Sequence, residues 1–407
     1  MSADPTAACV GPEFELDEEH RAVRDMVRAF AESEIGPIAA RLDETHEFPF
    51  DTVRKMAELG LLGMIVPEEY GGAGMDYLAY VIAIEELSRV CASHGVIASV
   101  NNSLVCYPIL TYGTEEQKRT ILVPLARGER LGAYCLTEPN AGSNAANQQT
   151  SAVEDGDAFV LNGTKLFVTN AGPADVLVVY AATDRAKGAK GITAFIVDAD
   201  TPGVEKGKKE RKLGLHASDT REIAFANARV PKTNVLGERD RGYGVALATL
   251  GGGRIGIAAQ ALGIAQASLE AAVRYAGERV QFDRTIGEFD AIREMLANAA
   301  IEVDTARLLV YQAAWLRDRG RPHVKEASLA KWHASEAATR CANWAIQVHG
   351  GYGYMTDYRV ERYWRDARIC EIYEGTTEVQ KMVVAAQVLK ERPLADGGAA
   401  AERRAST

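Results

Sequence analysis

The stretch RICEIYEGTTEVQ, residues 368–380, places a carboxylate where a helix would be interrupted. Glu374 stands directly before Gly375, and two threonines follow. A glycine at this point favours a break in the helix, and a break leaves backbone N–H groups free to meet a ligand. An ordinary helix break would explain the same residues.

Two further segments combine strand patterns with hydroxyl and aromatic side chains. YCLTEPNAGSN, residues 134–144, indicates a strand that runs into a Pro-Asn-Ala-Gly-Ser turn, whose N–H groups and small side chains could hold a flat ring. In KLFVTN, residues 165–170, Phe167 and Thr169 are two positions apart and therefore point to the same side of a strand. A plain β-turn and ordinary core packing are the alternative interpretations.

The last two segments carry an arginine and paired glycines. In ERVQFDRTIGEFDAI, residues 278–292, Arg279 could bind a phosphate, although a solvated or acid-paired arginine fits as well. In QVHGGYGYMTDYRVERYWRD, residues 347–366, Gly350 and Gly351 would let a ligand or another backbone come close. A helix C-cap explains those glycines too.

The elements that position these segments follow the order helix, sheet, helix. Asp17 predicts an N-cap, and Val23, Met26, Val27 and Phe30 follow at the spacing of one buried helix face. Short β-branched runs between Asp-Gly, Asn-Gly and Pro-Gly turns predict strands, and long helical periods then return. The predicted domains are an α-helical domain at 1–130, a β domain at 131–240, an α-helical bundle at 241–392 and a flexible tail at 393–407. This order excludes a Rossmann sheet.

Composition limits the partners. The chain has 407 residues, 47% of them hydrophobic, a net charge of −10 and no dense basic run, which argues against nucleic acid. Its six cysteines are scattered without metal-ligand spacing, so no metal is expected. We expect no membrane span, because no apolar run looks long enough. The acidic N-terminus lacks signal features and predicts a cytoplasmic protein, while a cleaved mitochondrial presequence stays open.

Taken together, the five segments resemble the acyl-CoA dehydrogenase family, a group of FAD enzymes. The resemblance runs from about Glu15 to Leu389 and is closest to the short-chain (butyryl-CoA) branch, in segments such as GGAGMDYLAYVIAIEELSR, GRIGIAAQALGIAQ and RDARICEIYEGTTEVQ. It implies a mostly α fold with an N-terminal helical domain, a middle β-barrel or sandwich domain and a C-terminal four-helix bundle. It also implies a homotetramer built as a dimer of dimers.

The resemblance implies a catalytic role for Glu374, which would abstract the α proton of an acyl-CoA thioester while hydride passes from the β carbon to flavin N5. The product would be the trans-2-enoyl-CoA, and the electrons would go to an electron-transfer flavoprotein. The backbone at Glu374 and Gly375 would hold the thioester oxygen, and Arg254 would lie near the thioester. Some relatives carry their base at the position of Gly253, which has no side chain here and cannot act as one.

The resemblance also implies three sets of cofactor contacts. One edge of the flavin would meet five residues: Tyr134, Leu136, Thr137, Gly142 and Ser143. Phe167 and Thr169 would lie behind the ring, Thr376 and Glu378 near the adenosine half, and Ser143 would also touch the CoA chain. FAD would be bound across a subunit interface by a last set: Arg279, Gln281, Phe282, Gln347, Gly350 and Gly351.

Three positions depart from the family pattern. Asn144 stands where Asp is usual, Asp290 where Gln is common, and Gly251 where many relatives have an Asp that contacts the CoA arm. These departures leave open a branched or carrier-protein-bound acyl thioester. Other readings are an acyl-CoA oxidase, in which oxygen takes the electrons, and a helical scaffold without catalysis. Fatty acid β-oxidation and amino acid breakdown both use this chemistry, so the pathway also stays open.

Overall fold

The structure is a computed structural model that describes residues 16–391. The predicted tail at 393–407 and Cys9 lie outside the described residues. Two helical blocks flank a central sheet, and this order confirms the predicted architecture. The helical blocks share one continuous hydrophobic core, and the sheet contributes a second, smaller core of its own.

The N-terminal block begins at the predicted cap, where the Asp17 carboxylate accepts the His20 N–H at 2.8 Å. The first helix buries Val23, Val27 and Phe30, as their spacing predicts. A fully buried π-helical stretch, Val100–Cys106, joins the fifth and sixth helices. The helices of this block are α1 Glu18–Phe30, α2 Ala39–Thr45, α3 Phe50–Glu58, α4 Tyr77–Val90, α5 Ala92–Ser99, α6 Tyr107–Tyr112, α7 Glu115–Gln117 and α8 Val123–Ala126.

The central sheet has eight strands in the order β6-β7-β3-β2-β4-β5-β8, with β1 beside β4 in parallel. β3 and β7 form its longest antiparallel pair, whose register shifts between Lys165 and Val168. The strands are β1 Gly132–Cys135, β2 Ser151–Asp155, β3 Ala158–Thr169, β4 Val176–Ala182, β5 Ile192–Asp198, β6 Val204–Lys209, β7 Thr220–Pro231 and β8 Val235–Leu236. A separate small hairpin consists of β9 Val280–Gln281 and β10 Arg284–Thr285.

The C-terminal block is a helix bundle, in which α9, α10, α11 and α13 pack side by side. Its members are α9 Gly242–Glu278, α10 Asp290–Asp318, α11 Val324–His349, α12 Val360–Ala367 and α13 Thr377–Glu391. By length and composition, α9 could cross a bilayer, so the prediction that no apolar run is long enough was wrong. Its most apolar window is 78% buried inside the protein, which is the position of a core helix.

Candidate active site

Glu374 and Gly375 form a left-handed turn between the 3₁₀ turn Arg368–Glu371 and α13. Their φ angles are 52° and 93°. Few non-glycine residues adopt a positive φ, and those that do are held there by their surroundings. Within the described chain, no backbone carbonyl accepts the Glu374 N–H. The helix break predicted from sequence is therefore present and leaves this N–H available to a ligand.

Side chains from two helices hold the turn by its carbonyl groups. Lys331 Nζ, on α11, donates to the Gly375 carbonyl at 2.7 Å. Gln380 Nε2, on α13, donates to the same carbonyl at 2.9 Å and to the Glu374 carbonyl at 3.3 Å. The left-handed conformation is thus stabilised by three hydrogen bonds from outside the turn.

The Glu374 carboxylate points at α9. Its Oε2 is buried and has no hydrogen-bond partner among the described residues. A Cβ on Gly253 would overlap this oxygen and would lie 2.8 Å from Leu104 Cδ2. Burial raises the pKa of Glu374 from 4.5 to about 7, against the opposing charges of Lys331 and Arg254. A buried carboxylate without a partner, with a pKa near neutrality, has the properties of a general base.

Arg254 lies on α9 directly after Gly253 and is partly buried. Its Nε is buried without an acceptor among the described residues, and its Nη1 lies 3.5 Å from Ser328 Oγ. Burial lowers the pKa of this guanidinium, while the charge of Glu374 acts in the opposite direction. Arg254 therefore has an unpaired donor and lies close enough to Glu374 for the two charges to interact.

The predicted flavin-edge residues lie on β1 and in the loop after it. Tyr134 is in β1, and its buried hydroxyl has no hydrogen-bond partner among residues 16–391. The Leu166 N–H donates to the Thr137 carbonyl at 2.8 Å, which ties the end of β1 to β3. Leu136 is buried beside Thr137, whereas Gly142 and Ser143 are exposed in the following turn. The structure thus places this set on β1 and in the loop that follows it.

Phe167 does not follow the regular strand alternation that the sequence pattern predicts. Its φ is 56°, and the β3–β7 register shifts around it, so the strand has a bulge at this point. Its ring is 68% exposed although the neighbouring Val168 is buried. Thr169 ends the strand two residues later and is half-buried. The bulge presents the Phe167 ring at the surface.

A second concave surface, which we call the hairpin groove, lies between the β9–β10 hairpin and the end of α11. Its volume is about 800 Å³, and the predicted residues among its lining are Arg279, Gln281, Phe282, Gly350 and Gly351. The Arg279 guanidinium lies over the Tyr352 ring, 5.6 Å from its centroid. Gln347 is exposed on the last turn of α11 but is not part of the lining. Neither Glu374 nor any residue of the sheet lines this groove.

Thr376 and Glu378 occupy the start of α13. Thr376 caps this helix, because its Oγ1 accepts the Val379 N–H at 3.3 Å. Glu378 is exposed in the first turn. Both lie within four residues of Glu374 in the chain, where the turn leads into α13.

Matches to known proteins cover nearly the whole described chain. Models of the N-terminal, middle and C-terminal domains of acyl-CoA dehydrogenase match residues 17–129, 133–228 and 240–389. The short-chain specific acyl-CoA dehydrogenase of Clostridium acetobutylicum is 50% identical over 378 residues, which is 93% of this chain and 100% of that protein. The chain belongs to the acyl-CoA dehydrogenase family.

Solved structures of this family superpose closely on the chain. Butyryl-CoA dehydrogenase from Megasphaera elsdenii has a TM-score of 0.91 and 44% identity, with coverage of 93% of this chain and 100% of that one. An acyl-CoA dehydrogenase from Bacillus anthracis, solved in complex with FAD, has a TM-score of 0.87 and 34% identity, covering 94% and 68%. The protein is accordingly an FAD-dependent oxidoreductase that dehydrogenates acyl-CoA thioesters.

The residues present fit an FAD-dependent acyl-CoA dehydrogenase. The ring of Phe282 is 87% exposed, and that of Phe167 is 68% exposed, so each ring has a face available to a flat ligand. A Cβ on Gly350 or Gly351 would meet no atom within 4 Å, so there is open space beside both glycines. The unpartnered hydroxyl of Tyr134 adds a polar contact. A planar, polar cofactor would satisfy these features.

The three departures from the family pattern all face open space. Asn144 is exposed, Asp290 is the exposed first residue of α10, and a Cβ on Gly251 would meet no atom within 4 Å. Asp290 and Asn144 keep short polar groups at the surface. Gly251 offers no side-chain hydrogen bond, so any CoA contact at this point must come from another residue.

Two residues of this acyl-CoA dehydrogenase site were missed by the sequence analysis: Lys331 and Gln380. Both are fully buried polar side chains, Lys331 on α11 and Gln380 on α13. Lys331 lies one turn from Ala327 and one turn from Ser335, both fully buried, so its position on the core face of α11 was a usable signal. In the described chain, no cluster of His, Cys, Asp or Glu suits a metal ion.

Proposed function

We propose that this acyl-CoA dehydrogenase acts on short-chain acyl-CoA thioesters, with Glu374 as the base that removes the α proton. The observation that carries the proposal is the buried, unpartnered Oε2 of Glu374, held by a left-handed turn against the bare backbone of Gly253. The short-chain assignment is supported by the 50% identity to a short-chain specific relative and by the butyryl-CoA dehydrogenase fold match.

Three groups of this chain would take part in the reaction: the Glu374 carboxylate, the Glu374 N–H and the Arg254 side chain. The Glu374 carboxylate accepts the α proton, and its desolvated site makes the carboxylate a stronger base than in water. The free N–H of Glu374 donates to the thioester oxygen, which lowers the pKa of the α C–H. Arg254 orients the thioester on the α9 side. The chemistry that FAD supplies when bound is acceptance of the hydride from the β carbon.

The cofactor would be held by Tyr134, Leu136, Thr137, Gly142 and Ser143 at one edge and by Phe167 and Thr169 at the ring, with Thr376 and Glu378 nearer the adenosine. Ser143 would also contact the CoA chain. The hairpin groove would bind the FAD of a neighbouring subunit, with Gln347 beside it. This assignment predicts an oligomer, because Glu374 is not among the residues that line the groove of the same chain, and we propose a homotetramer built as a dimer of dimers.

We also propose electron-transfer flavoprotein as the electron acceptor. The experiment that tests the whole proposal is an anaerobic titration of the purified flavoprotein, followed by its visible spectrum. Butyryl-CoA, longer acyl-CoAs, branched acyl-CoAs and an acyl-pantetheine thioester are added in turn. We expect butyryl-CoA to bleach the flavin band most completely. Bleaching only by branched or pantetheine-bound acyl groups would overturn the short-chain assignment.

The reduced protein then separates dehydrogenase from oxidase. We expect rapid reoxidation by electron-transfer flavoprotein and slow reoxidation by air-saturated buffer. Fast reoxidation by oxygen, with hydrogen peroxide released in equal amount, would assign the protein as an oxidase instead.

A further inference from the structure

We propose that Lys331 is a positioning residue for the base: its buried ammonium group fixes the turn that aims Glu374 and favours the ionised carboxylate. The inference rests on the proposed role of Glu374 and extends it to a residue on a different helix. It is carried by the location of Lys331 and by its hydrogen bond to the residue that follows the base.

The Lys331 side chain is fully buried on α11. Its ammonium group donates to the Gly375 carbonyl at 2.7 Å, and no carboxylate oxygen of the described chain lies within salt-bridge distance of it. Burying a cation without an ion-pair partner costs free energy, and an apolar side chain of similar size would avoid that cost. A fold that keeps a lysine at this position therefore uses its charge or its hydrogen bond.

The hydrogen bond acts on the backbone conformation of the base. Gly375 and Glu374 both have positive φ, which a glutamate adopts only under constraint. Lys331 reaches the turn from α11, 44 residues earlier in the chain, and Gln380 reaches it from α13. Because the turn is held from two helices, the direction of the Glu374 side chain depends on the packing of α11 against α13.

The charge acts on the carboxylate. The titratable groups that interact with Glu374 come from several elements: Lys331 on α11, Arg254 on α9, Tyr80 on α4, Tyr134 on β1 and Tyr373 on its own segment. Cys370 and Glu371, on the same segment, interact with Lys331. Of these, only Lys331 and Arg254 are cations, and both lower the pKa of Glu374. Removing the Lys331 charge would therefore raise this pKa further.

Burial lowers the pKa of Lys331 itself to about 8. This value lies above the pKa of Glu374, so the lysine is charged while the carboxylate ionises and stabilises the ionised form of the base.

The test compares the pH dependence of flavin reduction in the wild type, Lys331→Met and Lys325→Met. Lys325 is the matched control, because it lies on the same helix and bonds Glu391 at the surface, 2.5 Å away. Reduction by saturating butyryl-CoA is followed anaerobically by stopped flow. We expect the acid limb of Lys331→Met to move up by about one pH unit, so that its rate below the limb falls about tenfold. Lys325→Met should match the wild type.

A second readout does not depend on turnover. The infrared carbonyl band of protonated Glu374 is isolated by subtracting the spectrum of Glu374→Gln, and it is titrated without substrate in the wild type and in Lys331→Met. We expect the band to persist to higher pH in Lys331→Met. If Lys331→Met proves insoluble, Lys331→Gln serves in its place.

An unchanged acid limb and an unchanged carbonyl titration in a folded, flavin-containing variant would overturn the proposal for Lys331. That result is distinct from failure of the proposed function. In the latter case, the wild type itself would not be bleached by any acyl-CoA, or would be bleached equally well after Glu374→Gln.

Discussion

Gly253 on α9 and Glu374 in the turn before α13 lie so close that a single methyl group on Gly253 would overlap the carboxylate oxygen. The two positions are 121 residues apart in sequence but face each other across the bundle. Position 253 therefore accommodates only glycine, because the Glu374 carboxylate occupies the volume that a side chain would need. Because the two positions are this close, a carboxylate carried at either of them could reach the same carbon of the substrate.

Gly253→Ala is expected to displace the Glu374 carboxylate and to lower the rate of flavin reduction by at least about tenfold. The new methyl group would also press on Leu104, at 2.8 Å. Stopped-flow reduction with butyryl-CoA measures the effect. Gly277→Ala on the same helix is the control, since its Cβ would meet no atom within 4 Å. Equal rates for both variants would contradict the close approach of the two residues.

Glu374 should make the stability of the protein depend on pH. Burial raises its pKa from 4.5 to about 7, so the folded chain binds this proton more tightly than the unfolded chain does. Its contribution to stability is full below about pH 4.5 and is lost as the pH rises through about 7. Because Glu374→Gln cannot ionise, we expect its Tm to exceed that of the wild type increasingly between about pH 5 and pH 8. A difference in Tm that does not vary with pH would argue against a buried carboxylate.

Arg279→Ala is expected to weaken FAD retention and the tetramer together, since Arg279 lines the hairpin groove and lies over Tyr352. Flavin content after gel filtration and the sedimentation profile measure the two effects. Arg293→Ala is the matched control, because Arg293 is exposed on α10 near Asp290. Full flavin content and an unchanged oligomer in Arg279→Ala would show that the hairpin groove does not bind the cofactor.

Lys165→Met should destabilise the sheet at the proposed flavin edge. Lys165 and Glu138 form a fully buried ion pair with a 2.7 Å contact, and Lys165 also bonds the Gln148 side chain. Removing the Lys165 cation leaves the buried Glu138 carboxylate without a partner charge. The free energy of unfolding, measured in urea, should fall by about 3–5 kcal/mol. Lys232→Met, which breaks the exposed pair with Glu154, should cost less than about 1 kcal/mol.

The double variant Lys165→Met/Glu138→Gln tests whether the loss of stability comes from the unpaired Glu138 charge. It should recover most of the lost stability, because no uncompensated charge remains. A double variant no more stable than Lys165→Met would show that packing, and not charge, accounts for the loss.

Local signals made much of this fold predictable. The Asp17 cap and the apolar spacing after it predict α1, and the pair Glu374-Gly375 predicts a break that the structure contains. These features depend on residues within one or two turns of each other. The helix, sheet, helix order is likewise predictable, because the spacing of apolar residues changes from a helical to a strand pattern and back along the chain.

The remaining features depend on contacts between distant segments. The turn at Glu374 and Gly375 receives hydrogen bonds from Lys331 and Gln380, and no local pattern links Lys331 to it. The bulge at Phe167 depends on the pairing of β3 with β7 and on the bond from Leu166 to Thr137. The apolar length of α9 was missed in the sequence, and that helix is apolar over such a length because neighbouring elements bury most of it.

The central claim, that Glu374 is the base, is tested most directly by anaerobic flavin reduction in Glu374→Gln. The substitution keeps the shape of the side chain and removes its basicity. We expect normal flavin content and a loss of the reduction rate by about a thousandfold or more with butyryl-CoA. A folded Glu374→Gln protein that is reduced at close to the wild-type rate would contradict the account.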